Sequence, residues 1–123
     1  MEPRTIPTRN IGFSSLGPVN SQLTIYAHGE PSIGGAQPHY EIHGGGVRVI
    51  SFQNGTVPEV GINGVTVEAL IAICVDQLKS FQSGPFSCRE NAVAITKLEE
   101  AQMWLEKRMR DRAARGVEGT YQK

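Results

Sequence analysis

The feature that most constrains the fold of this chain is a run of 27 residues, 89–115, that contains neither glycine nor proline. The run follows Gly84 and Pro85 and is closed by Gly116, residue types that commonly end helices. Within it, apolar residues recur at helical spacing, interrupted at Gln102. A helix of this length spans about 40 Å, so the rest of the chain must be arranged around it.

The residues before this helix divide into a glycine-rich front and a second helical segment. Eleven of the 14 glycines and six of the seven prolines lie before residue 65, but only seven of the 24 formally charged residues do. Thr66 is positioned to cap the shorter helix, which Gly84 and Pro85 end. The front predicts short strands separated by turns, at residues 22–27, 39–43, 47–52 and 58–62, after an irregular arm over residues 1–21.

The predicted fold is α+β: a small antiparallel β-sheet in residues 1–64, then a two-helix hairpin and tail in residues 65–123, all in one compact domain. Ser87 and Glu90 have the spacing of a capping box at the start of the long helix. The apolar stripe of the shorter helix is too broad for one surface face, which predicts burial on at least two sides. Because the long helix outruns its partner and carries apolar residues there, the hairpin is expected to oligomerise.

Charge and composition argue against several classes of protein. Twelve basic and twelve acidic residues give zero net charge, whereas a protein bound to DNA through phosphates is usually basic. No apolar run is long enough to span a membrane, and the first residues lack the apolar core of a signal peptide. Cys74 and Cys88 are therefore expected to be reduced thiols in a cytosol, although Cys88 lies where a helix N-terminus can activate a thiol.

The predicted strand at residues 39–43 places His39, Glu41 and His43 on one face. Two imidazoles and a carboxylate can bind a metal, but a polar sheet face is the commoner meaning of such a triad, so no metal site is predicted. The sequence offers no convincing nucleophile or acid–base pair and no cofactor motif. These patterns therefore give little support for catalysis.

A basic face near the end of the long helix is the first candidate site. Its members follow one another at spacings of four, four and three residues: Trp104, Arg108, Arg112 and Arg115. Guanidinium groups bind phosphate oxygens and stack on rings, which suits an anion or a nucleotide. The alternative is a solvated face whose charges are balanced by Glu106 and Asp111.

Phe81 and Asn91 flank the turn at the other end of the hairpin. Asn91 and Arg108 are 17 residues apart, which is about 25 Å along a helix. One nucleotide-sized ligand can therefore contact both ends only if two chains pair their long helices antiparallel. In the alternative, Phe81 is a core residue and Asn91 a first-turn residue without a ligand.

Three segments of the hairpin resemble known phage proteins. They are residues 84–91 (GPFSCREN), residues 94–108 with their TKLEE core and Met-Trp pair, and residues 112–121. Together they resemble the helical hairpin shared by first-type Thoeris anti-defence proteins and second-type anti-CBASS proteins. The resemblance covers residues 60–121, and the glycine-rich β front is similar to that of the Thoeris family.

The resemblance implies a sponge that acts in the cytoplasm of the infected bacterial host and blocks Thoeris, and in some members CBASS, immunity. Such proteins bind TIR-made cyclic ADP-ribose isomers (glycocyclic ADP-ribose) without cleaving them and assemble as dimers to hexamers. The family's messenger pocket corresponds here to Phe81, Asn91, Arg108 and Arg112. Some members also bind cyclic di- or trinucleotides at separate sites, for which the candidates here are Arg48, Arg89 and Arg115.

Two other classes remain as alternatives. One is a small phage structural or assembly protein whose helical hairpin oligomerises. The other is a module for RNA or single-stranded DNA, which zero net charge and scattered aromatic residues disfavour.

Overall fold

A computed structural model describes residues 7–117 and Thr120. The chain divides into two units, Met1–Val65 and Thr66–Lys123. The first contains a four-stranded antiparallel sheet and the second contains two helices. The predicted α+β class, a sheet followed by C-terminal helices, is therefore confirmed.

The first unit is an antiparallel meander in which each strand pairs with the next along the chain. Short connections and alternating side chains favour this topology because neighbouring strands need only tight turns between them. The strands are β1 (Thr8–Ile11), β2 (Thr24–His28), β3 (His39–His43) and β4 (Val47–Ser51), with a short 3₁₀ turn at Asn20–Gln22 before β2. Three of the four strands lie where the alternation predicted them.

The two faces of the sheet differ in polarity. The register aligns Ala27 with Tyr40, and Tyr40 with Ile50, on one face. Ala27 is 2% exposed there, and the Tyr40 ring meets Phe52 edge to face with 5.7 Å between centroids. The opposite face is mostly polar and carries all three histidines, because cross-strand partners point the same way.

Two predictions for this unit were wrong. The arm expected over residues 1–21 contains strand β1, which pairs with β2 through Thr8 opposite His28. The strand expected at residues 58–62 is instead a one-turn helix, α1 (Val57–Val60). Pro58 explains the second difference, because proline has no N–H for a strand ladder but is favoured in the first turn of a helix.

Gly64 lies where the chain passes very close to the end of the sheet. A Cβ atom at this position would be 2.4 Å from the backbone carbon of Phe52, next to the bridge between Phe52 and Val65. We expect Gly64→Ala to lower the free energy of unfolding by about 1–3 kcal/mol, because the backbone must move to admit the methyl group.

Chemical denaturation followed by circular dichroism measures this effect. Gly12→Ala is the matched control, because a Cβ there meets nothing within 4 Å and its backbone is not left-handed. Equal unfolding midpoints for the two variants would contradict the steric argument.

The second unit is a hairpin of two antiparallel helices, α2 (Val67–Gln82) and α3 (Arg89–Ala114). Thr66 caps α2 as predicted, since its hydroxyl accepts a hydrogen bond from the Ala69 N–H at 3.1 Å. The capping box predicted for α3 is absent, because the N-cap is Cys88, one residue beyond Ser87. The Cys88 side chain makes no hydrogen bond to the first turn of the helix.

The hairpin leaves much of its apolar surface uncovered. Val75 is buried at 7% exposure, but Ile73 and Trp104 are each 65% exposed and Met103 is 67% exposed. The prediction that the shorter helix is buried on two sides is therefore wrong for the single chain. These apolar side chains on α2 and α3 are not shielded by the described residues of this chain.

Candidate functional site

Among the described residues, two cations in the last turns of α3 each have an acidic partner one turn away, and Arg108 has none. Lys107 binds Asp111 at 2.6 Å, and Arg110 binds Glu106 at 3.3 Å, each across one helical turn. Arg108 lies between them in sequence, yet it forms no ion pair or hydrogen bond with any residue that the structure describes. The acidic residues expected to neutralise the basic face are thus engaged by other cations.

Asp111 forms its ion pair with Lys107. The hydrogen bond from Lys107 lowers the pKa of Asp111, and the charges of Lys107, Arg115 and Arg110 lower it further. The carboxylate is therefore ionised at neutral pH and bonded to Lys107. Arg108 keeps its full positive charge and its planar set of donors available to an anion.

Arg112 lies one turn beyond Arg108 and is held by the residues that follow α3. Its Nη2 donates to the carbonyl oxygens of Val117 at 2.9 Å and Thr120 at 3.0 Å. The chain turns back at Gly116, whose φ of 73° is in the left-handed region that favours glycine. Val117 N–H then donates to the carbonyl of Arg112 at 3.0 Å, so the guanidinium is fixed by this reversal.

Phe81 lies at the opposite end of the hairpin, in the wall of a cavity of about 250 Å³. Phe81 is 46% exposed and Phe86 is 76% exposed, so both aromatic rings are accessible. The cavity is lined by Gln77, Ser80, Phe81, Gly84, Pro85 and Phe86. Its volume is below the range of about 300–1,000 Å³ for complete ligand pockets, and it suits one part of a nucleotide better than the whole.

Phe86 was not among the predicted site residues. Its sequence signal is an aromatic residue directly after Gly84 and Pro85, a position that a turn displays to solvent. Two exposed phenylalanines in one small cavity offer apolar faces for a planar ring.

The four predicted messenger contacts do not meet within one chain. Asn91 is in the first turn of α3, whereas Arg108 and Arg112 are in its last turns. Because α3 is one continuous helix of 26 residues, Asn91 and Arg108 are separated by about 25 Å. Each hairpin therefore carries an aromatic half at its turn and a cationic half at its far end.

The second set of candidate residues does not form a site in this chain either. Arg48 donates from Nη1 to the carbonyl of Gly44 at 2.9 Å, which ties it to the glycine turn before β4. Arg89 begins α3 and Arg115 follows its last residue, so they lie about 39 Å apart along the helix.

The histidines lie on the polar face of the sheet, as predicted for residues 39–43. Glu41 Oε1 is 2.8 Å from His43 Nε2, and Glu41 Oε2 is 3.7 Å from His28 Nδ1. His39, on the same face, bonds the Ser51 hydroxyl instead, with 3.0 Å between its Nδ1 and the Ser51 Oγ. In the part of the chain that the structure describes, no group of three His, Cys, Asp or Glu residues is arranged to hold a metal ion.

Among residues 7–117 and Thr120, none of the helices combines the length and the hydropathy that crossing a bilayer needs.

Comparison with known proteins identifies relatives of the chain. The family profile described as "Acb2/Tad1, hairpin domain" matches residues 45–110. The curated protein "Thoeris anti-defense 1" of Bacillus phage SBSphiJ7 is 56% identical over 79 residues, which cover 64% of this chain and 56% of that protein. The chain thus spans a little over half the length of this relative. The profile includes the turn cavity and Arg108 but ends before Arg112.

Proposed function

The chain belongs to the Acb2/Tad1 hairpin-domain family, and on that premise we propose that it is a phage anti-defence sponge. It binds TIR-made cyclic ADP-ribose isomers in the cytoplasm of the infected bacterium and withholds them, uncleaved, from the Thoeris effector. The name of the relative from phage SBSphiJ7 supports the anti-defence role.

The observation that carries this proposal is the unpartnered guanidinium of Arg108 beside two neutralised neighbours. Lys107 and Arg110 each have a carboxylate one turn away, whereas Arg108 has no ion pair or hydrogen bond among the described residues. A pyrophosphate supplies the missing anion. Charge-assisted hydrogen bonds from a planar guanidinium to phosphate oxygens are stronger than neutral ones and fix the orientation of the ligand.

The other end of the hairpin supplies the contact to the base. Phe81 and Phe86 offer aromatic faces in the cavity at the turn, and stacking of a base on such a ring contributes about 1–3 kcal/mol. Asn91 is in the first turn of α3, near the positive end of the helix dipole. Its carboxamide can donate to and accept from the edge of a base or a ribose.

A complete site requires two chains in this proposal. Antiparallel pairing of two α3 helices brings the aromatic half of one protomer to the cationic half of its partner. The apolar side chains that the single hairpin leaves exposed, Ile73, Met103 and Trp104 among them, give the subunits a surface to bury. An isologous pair of this kind carries two identical sites, and further pairing leads to higher oligomers up to hexamers.

Binding of the messenger without turnover is a testable expectation of this proposal. Calorimetry with cyclic ADP-ribose isomers should detect saturable binding, and ligand at 100 times its Kd should stabilise the fold by about 2.7 kcal/mol. After prolonged incubation and heat release, chromatography should recover the messenger intact. The chain has no evident nucleophile or acid–base pair to open the ring.

Other results of these experiments would point to a different function or to a second site. Linear ADP-ribose that forms only in the presence of the protein would identify a hydrolase instead of a sponge. Absence of binding to every isomer would favour a structural or assembly protein. Cyclic di- and trinucleotides tested in parallel show whether Arg48, Arg89 and Arg115 of assembled subunits form a second site.

A further inference from the structure

Gln82, the last residue of α2, closes the turn of the hairpin with both ends of its carboxamide. Its Nε2 donates to the carbonyl of Cys88 at 2.9 Å, and the Cys88 N–H donates to its Oε1 at 2.9 Å. The side chain therefore pairs with the backbone of residue 88 in the way that a neighbouring strand would. Residues 83–87 form the loop that this pair of hydrogen bonds closes.

This contact fixes the backbone of Cys88, the residue from which α3 begins. Cys88 has an extended backbone at the N-cap, with φ of −153° and ψ of 162°, and its own side chain bonds nothing in the first turn. Both polar groups of its backbone are satisfied by Gln82, because an amide presents a donor and an acceptor side by side. The start of α3 is thus fixed by the end of α2.

The residues on either side of this contact are those of the candidate site. Phe81 directly precedes Gln82, and Gly84, Pro85 and Phe86 of the cavity wall lie inside the closed loop. Asn91 follows Cys88 by three residues in the first turn of α3. We propose that Gln82 is a positioning residue, whose paired hydrogen bonds to Cys88 hold the aromatic cavity and Asn91 in the arrangement that binds the messenger.

The inference rests on the proposed function, and a titratable replacement tests it. Gln82→Glu and Gln82→Met should each weaken messenger binding by about 5–100-fold at pH 7.5, since two hydrogen bonds are lost or impaired. The ionised glutamate accepts from the Cys88 N–H but cannot donate to its carbonyl. The methionine, of similar length, does neither.

Protonation of the glutamate restores the donor. A neutral carboxylic acid has an acceptor and a donor side by side, as the carboxamide does. The affinity of Gln82→Glu relative to the wild type should therefore rise as the pH falls towards about 4.3, the ordinary pKa of glutamate. The affinity of Gln82→Met relative to the wild type should stay low throughout, because it has no proton to gain.

Ser87→Glu is the matched control, because it adds the same titratable group to the same exposed turn without touching the contact. Its affinity should follow the pH profile of the wild type. Equal, pH-independent losses in Gln82→Glu and Gln82→Met would show a general structural role and overturn the proposal. Unchanged binding in both variants would overturn it as well.

Hydrogen exchange at the Cys88 N–H separates this test from that of the proposed function. The amide should be protected in the free wild-type protein and exchange faster in Gln82→Met, whatever ligand the protein binds. Rapid exchange in the wild type would refute the contact itself. If the contact is present but no cyclic ADP-ribose isomer binds the wild type, the proposed function has failed and the positioning role fails with it.

Discussion

Arg108→Ala is expected to weaken binding of the cyclic ADP-ribose messenger by about 10–100-fold while the protein stays folded. Arg108 is exposed and, within the described part of the chain, has no partner that its removal would leave unsatisfied. Surface substitutions of this kind change stability by less than about 0.5 kcal/mol. The loss should therefore appear in the Kd measured by calorimetry and not in the thermal midpoint of the free protein.

Arg110→Ala provides the matched control for this measurement. It removes the same side chain two residues further along α3, but Arg110 is paired with Glu106 and is not part of the candidate site. Its Kd should remain within about threefold of the wild type, while Arg108→Lys should fall between the two because lysine keeps the charge and loses the planar fork. Equal losses in Arg108→Ala and Arg110→Ala would mean that general positive charge, not a specific contact, binds the messenger.

Arg112→Ala should also weaken binding, but its interpretation differs. The substitution removes the hydrogen bonds to the carbonyls of Val117 and Thr120 together with any contact to phosphate. The two arginines therefore make different contributions to the site. The Arg108→Ala substitution tests anion recognition alone, and for this reason the main prediction is made for Arg108.

Mixing two weakly binding variants should restore wild-type affinity at some sites if each site is built from two chains. Phe81→Ala removes the aromatic half and Arg108→Ala the cationic half. In a mixed antiparallel pair one site inherits both lesions and the other inherits neither. An equimolar mixture that exchanges at random should recover about a quarter of all sites, measured as stoichiometry by calorimetry, since half of the pairs are mixed.

Sedimentation and subunit exchange are the necessary controls for the mixing experiment. Exchange is followed with one variant labelled, and sedimentation should show an assembly larger than the 13.4 kDa chain. A chain that remains a monomer at micromolar concentration would contradict the two-chain site. If subunits exchange but no binding sites are recovered, then either both halves of each site come from one chain or one of the two halves does not contact the messenger.

Local patterns in the sequence were sufficient for most of the secondary structure. Strict alternation predicted β3, and the breaker-free run between Pro85 and Gly116 predicted α3 to within one residue at its end. These features depend on neighbours a few residues away, so the chain itself contains the information. Pro58 shows the limit of such patterns, because a short apolar segment is compatible with either a strand or one helical turn. The position of the proline in the segment is what favours the helical turn.

The candidate site also has one feature that the sequence predicts and one that only the folded structure decides. The spacing of Arg108 and Arg112 on one face follows from the helical period, and the continuous α3 of the structure preserves it. Which of the cations has a partner does not follow from spacing, because Glu106 and Asp111 each lie within one turn of more than one of them. Side-chain packing assigns those carboxylates to Arg110 and Lys107 and leaves Arg108 without one among the described residues.

The turn of the hairpin shows most clearly why sequence patterns are not enough. A Ser-x-x-Glu motif predicted that Ser87 caps α3, but the folded chain begins the helix at Arg89 and satisfies Cys88 through Gln82. That contact joins two helices that must already lie side by side. A hydrogen bond between residues brought together by packing leaves no periodic trace in the sequence, whereas helix and strand periods, set by each residue's own backbone, do.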